Sequence, residues 1–111
     1  MAYDKDLADR IRELVAGEAG VSEKKMFGGL AFLVGGNMAI AASAQGGLLV
    51  RVGPGSSAKL VASTNATVAA MQGRLIPGWL RVSGEHVASR SELAKWAKIG
   101  VAYARSLPTK G

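Results

Sequence analysis

The sequence predicts an α+β fold: an antiparallel sheet packed with helices, in the order α-β(3)-α-β(2)-α. Three observations predict it. Segments with apolar residues at helical spacing stand near both ends of the chain. Between them lie short apolar runs separated by glycine-rich turns too brief for a crossover helix, so neighbouring strands must run antiparallel. Finally, 49% of the 111 residues are hydrophobic, enough for one domain to build a core without metals or disulfides.

The elements follow in order. In Asp4 to Ala16, Leu7, Ile11, Leu14 and Val15 fall on one helical face and Asp9, Arg12 and Glu13 on the other. Asp4 suits the N-cap, Asp6 the positive end of the dipole and a weak pair with Arg10, and Gly17 the stop. Val21 to Met26 is a short candidate strand, and Leu30 to Val34 is a stronger one. Gly35-Gly36 is a hairpin turn, and Asn37 to Ala42 runs back. After Gln45-Gly46-Gly47, Leu48 to Val52 forms another strand, ended by Gly53-Pro54-Gly55. Ser57 to Ser63 reads as a short helix capped by Ser56 or Ser57 and anchored by Leu60 and Val61. Val68 to Gln72 and Trp79 to Val82 read as strands joined through Gly73 to Gly78, where Pro77-Gly78 marks irregular backbone. The last helix begins at Ser89, which has capping-box spacing to Glu92. Leu93, Trp96, Ala97, Val101, Ala104 and Leu107 form its apolar face, with Gly100 among them, and Pro108 stops it.

Composition narrows the function classes. With no cysteine, disulfide scaffolds, thiolate metal sites and cysteine nucleophiles are excluded. No apolar run reaches the roughly 20 residues of a membrane span, and the charged start MAYDKDLADR lacks the apolar core of a signal peptide, so a cytoplasmic location is the expectation. The formal net charge of +6 favours a polyanionic partner or, more plainly, solubility.

One string is more specific. Lys24-Lys25-Met26-Phe27-Gly28-Gly29 follows the first amphipathic helix, LAFLVGGNMAIAAS and GGLLVRV follow it, and GWLRV precedes a helix carrying LAKW. This ordered set resembles the TfoX N-terminal domain (TfoX/Sxy) family over essentially the whole chain. The resemblance implies a fold similar to secretion-chaperone-like and YjbR-like domains, and an association with transcriptional or competence-type regulation. Longer relatives carry a second, helical C-terminal domain. These 111 residues are expected to be a single domain, 1–111, of the N-terminal type, without that second domain.

Candidate chemistry is sparse. Phe27 is expected to anchor in the core while Gly28 and Gly29 take backbone conformations closed to other residues. The competing reading, an anion cradle with Lys24 and Lys25, is disfavoured because the glycines lead into a strand, not a helix. No βαβ unit carries a dinucleotide fingerprint. His86, beside Glu85, is the only histidine, has no partners at metal-ligand spacing and reads as a surface or capping residue. No serine stands in a nucleophile-elbow setting, and no acidic pair stands among apolar residues. The expectation is a non-catalytic regulatory or interaction module without cofactor or metal. Its partner is a protein, which includes a second copy of the chain, and it docks through a sheet edge or the Trp79 face, with Ile99 as a further contact residue. The alternative is a nucleic-acid-binding accessory protein. Its phosphate contacts would come from Arg51, Arg74 and Arg81 on the sheet side, with Arg74 in a connecting loop, and from Lys95, Lys98 and Arg105 on one polar arc of the last helix.

Overall fold

In the computed structural model, residues 3–26, 28–44, 46–71 and 73–108 are described. Helix α1 spans Lys5–Val15, and Asp4 caps it, its Oδ1 accepting from the Leu7 amide at 3.1 Å. Leu7, Ala8, Ile11 and Val15 turn inward. The expected Asp6–Arg10 pair gives way to a longer reach: Arg10 Nη2 donates to the carbonyls of Val87 and Ala88, both at 3.0 Å, tying α1 to a 3₁₀ turn at Gly84–Val87.

Among the described residues the sheet has six strands: β1 (Val21–Met26), β2 (Gly29–Val34), β3 (Asn37–Ala42), β4 (Leu48–Arg51), β5 (Thr67–Met71) and β6 (Arg74–Val82). Every pairing is antiparallel, and the spatial order is β1-β2-β3-β4-β6-β5. The opening meander thus has four strands rather than the expected three, because the short candidate Val21–Met26 pairs with β2 along its whole length. Between β1 and β2, Gly28 has φ +78°, which explains a glycine there; Gly29 lies so close to the Ala42 carbonyl that a Cβ would collide with it. Phe27, the expected core anchor, lies outside the described residues.

Helix α2 spans Pro54–Ser63, starting earlier than read because Pro54 provides a pre-set first turn. Neither serine caps it: Gly53 is the N-cap, and Ser57 Oγ instead accepts from the Gly78 amide at 3.1 Å. Strand β6 is more than twice as long as read, absorbing the expected connection. Helix α3 spans Arg90–Ser106, capped by Ser89 Oγ accepting from the Glu92 amide at 3.2 Å. Its Leu93, Trp96, Ala97, Gly100, Val101 and Ala104 are buried as the spacing required.

The main core lies between the helices and one face of the sheet. Ile11, Phe32, Ile40, Leu48, Val50, Leu80, Val82, Val87, Leu93 and Trp96 are buried in it. A smaller cluster on the other face joins Ala31, Met38, Ala41, Leu49 and Ala69 to half-buried Met26, Leu33 and Trp79. It includes no helical residue among those described. No helix of the described residues is long and apolar enough to cross a membrane.

Arg12 links α1 to β1 through a two-pronged pair with Glu23, Nε to Oε2 at 2.6 Å and Nη2 to Oε1 at 2.9 Å. Arg12's hydrogen bonds hold the Glu23 carboxyl below its ordinary range. A depressed folded-state value gives stability that is present above the unfolded carboxyl's titration near about 4.3 and is lost as pH falls through the folded value. Because both side chains are solvated, the effect is small. In urea titrations, Glu23→Gln is expected to narrow the stability difference between neutral pH and about pH 3 relative to the parent. An unchanged difference would mean the pair contributes nothing.

Candidate functional site

The site is built by the β5–β6 hairpin. Strand β6 has two halves with different neighbours. Trp79–Val82 pairs with β4, and Leu80 and Arg81 pair with β5 as well, whereas Arg74 and Leu75 pair with β5 only. The missing β4 neighbour lets Pro77, which has no amide to donate, sit inside a strand. Gly78 closes the junction: its carbonyl accepts from the Val52 amide at 2.7 Å while its own amide goes to Ser57. In the β5–β6 register, Val68 faces Leu80 and Ala70 faces Leu75, leaving Ala69 alone opposite residues 76–79. The hairpin end therefore projects past the rest of the sheet.

Leu75 on this projection is 68% exposed, the large hydrophobic side chain left in solvent among the described residues. Its cross-strand partner Ala70 is exposed too. Beyond Ala70, β5 is the last strand of the sheet. The two sheet edges differ in chemistry. On β1, Glu23, Lys24 and Lys25 are exposed, and such charges discourage strand addition. No charged residue occurs in 60–73, so β5 has no such protection. Ala69 connects this edge to Trp79, since both belong to the cluster on the helix-free face.

Trp79 lies directly across from Arg51 on β4. The Arg51 guanidinium sits 5.2 Å from the Trp79 ring centroid and 5.6 Å from that of Tyr103 on α3. Both distances are within cation–π range, so the Arg51 charge is shared between two aromatic rings. Arg81 faces Leu49 across the strands, and its Nη1 donates to Ser43 Oγ at 2.9 Å. Arg105 Nη2 meets Glu18 Oε1 at 2.8 Å. Three of the six cations singled out in the sequence are thus engaged within the chain. Arg74 is exposed at the start of β6, a strand position rather than the expected loop. Lys95 and Lys98 are exposed on α3, in the helical layer. The six do not meet on one surface. Ile99 is half-buried against the main core, on the other side of the sheet from the Trp79 cluster.

Lys24 and Lys25 project from the β1 edge as solvated residues, and Met26 packs on the helix-free face. His86 is half-buried in the 3₁₀ turn rather than on the surface, and its Nδ1 is buried with no hydrogen-bond partner among the described residues. It borders a polar recess of about 190 Å³ with Glu92, Lys95, Thr64 and Asn65. Sequence distance hid this grouping, which draws on α2, the turn and α3. Among the described residues, no three His, Cys, Asp or Glu side chains come together as metal ligands.

Residues 13–104 match the family model of the TfoX N-terminal domain. The chain belongs to this family. The match runs from the last turn of α1 into the last turns of α3, so all six strands and the projecting hairpin are part of the TfoX N-terminal domain. No curated protein and no solved structure matches the chain.

Proposed function

We propose that this TfoX N-terminal domain is a non-catalytic interaction module that takes an extended segment of a protein partner onto the outer edge of β5. The exposed Leu75–Ala70 pair on an uncharged edge strand is the observation that carries the reading. Strand addition draws affinity from main-chain hydrogen bonds and specificity from alternate side chains. A strand added beside β5 reaches over Ala69 toward Trp79, a half-buried aromatic of the kind that dominates binding energy. Regulation of the type associated with the family would then act through the partner captured. A second copy of the chain is one such partner, because two β5 edges are self-complementary when antiparallel.

Ala70→Lys with Leu75→Lys is expected to leave thermal melting nearly unchanged, since both positions are exposed. The pair is expected to weaken partner capture from the native cell, or self-association in sedimentation, by about tenfold or more. Capture and self-association that both survive the substitutions would reject the β5 edge. Phosphate binding by the scattered cations has weaker support, because Arg51, Arg81 and Arg105 are committed within the chain. It is recognised by a steep loss of labelled-oligonucleotide binding as salt rises.

A further inference from the structure

The helical layer carries a second surface with a different chemistry. A groove of about 440 Å³ runs between α2 and α3, its walls formed by Leu60, Ile99, Ala102 and Tyr103, with Lys59 as its charged residue. Another, of about 400 Å³, separates α1 from α3 and is lined by Leu14, Val101 and again Ala102, with Lys98 at its side. The ridge between them is low. Ala94, Lys98 and Ala102 follow one another at four-residue spacing along α3, and two of the three are alanines. Small side chains on a ridge let another helix approach to the usual 8–10 Å between axes, with its own side chains entering the grooves on both sides (about the commonest packing geometry).

The charges select the occupant. Lys59 and Lys98, at the two grooves, are exposed and form no ion pair among the described residues. Among the described residues, Glu18 is the one carboxylate at either groove, and it is already paired with Arg105. An apolar floor flanked by unpaired lysines matches a helix with an apolar stripe and acidic flanks. A second copy fits poorly, because two-fold packing on this surface sets these lysines against themselves.

We infer that the α2–α3 face is a docking groove for an acidic amphipathic helix of a partner protein. It is separate from the β5 edge, so failure of either leaves the other standing. The test is fluorescence anisotropy with a labelled synthetic helix carrying leucine at i, i+3, i+4 and i+7 and glutamate on its other faces. A matched peptide with lysine in place of glutamate is the comparison. The acidic peptide is expected to bind about tenfold or more tightly than the basic one. Ala102→Glu and Lys59→Glu, both at exposed positions, are each expected to weaken it about tenfold while melting stays unchanged. Amide shifts on binding are expected at Leu60, Ile99, Ala102 and Tyr103. Equal affinity for the two peptides, indifference to both substitutions, or shifts confined to the β5–β6 hairpin would overturn the inference. Sedimentation showing self-association that Ala102→Glu abolishes would overturn it in favour of a second copy.

Discussion

Replacing Trp96 by alanine is expected to destabilise the domain by about 3–5 kcal/mol. Trp96 is 2% exposed and is among the largest fully buried side chains, on the face of α3 that meets the sheet. Its removal forfeits the transfer energy of the indole and leaves a hole that the surrounding strands, held by their ladders, fill only in part. Domains of this size have total stabilities of about 5–15 kcal/mol, so the variant is expected to melt far below the parent or to be unfolded at room temperature. Urea denaturation followed by far-ultraviolet circular dichroism measures it. A midpoint within error of the parent would refute the packing of α3 described here.

Gly100→Ala is expected to destabilise as well, against the ordinary preference of helices. In an isolated helix this change gains about 1 kcal/mol. Here a Cβ on Gly100 would run into the Ala39 carbonyl and touch Val50 Cγ1 at 3.4 Å. Ala39 belongs to β3, which has neighbours on both sides, so the obstacle is backbone fixed within the sheet. Overpacking of this kind costs about 1–3 kcal/mol and more where backbone must move, so a net loss of about 2 kcal/mol is expected after the helix gain. That corresponds to a fall in melting temperature of about 8 °C or more for a domain near 100 residues. A variant melting at or above the parent would show that α3 sits further from β3 than described.

Two consequences for function follow from the same geometry. The glycine contact brings α3 close against β3, and its outer side bears the alanines of the groove ridge. On the sheet's other face no helix of the described residues covers the cluster that holds Trp79. The two proposed surfaces lie on different layers and differ in charge, so the proposals predict separate partners without competition.

The register of α3 was legible because Leu93, Trp96, Ala97, Val101 and Ala104 recur at helical spacing and the capping serine marks the start. The Gly35-Gly36 turn and the strands beside it were legible for a similar reason, since positive φ at both glycines is a local requirement met by local residues. The family string was legible as well, and the match over residues 13–104 bears it out. What was not legible depended on neighbours distant in the chain. Pro77-Gly78 reads locally as a break, yet β6 continues through it because β4 ends before reaching Pro77 and asks for no amide there. Ser57 reads locally as a cap, yet its hydroxyl serves Gly78, 21 residues away. Leu75 reads locally as part of the loop before Pro77-Gly78, yet it lies in β6 opposite Ala70.

The fold class, the inward faces of α1 and α3, the hairpin turn and the family are set by residues a few positions apart and so are legible along the chain. Which cations are spent within the chain, which sheet edge lacks charge, and where apolar side chains remain in solvent emerge only when distant segments pack. Those properties belong to surfaces, and a surface is assembled from segments that meet only when the sheet orders its strands and the helices close over one face.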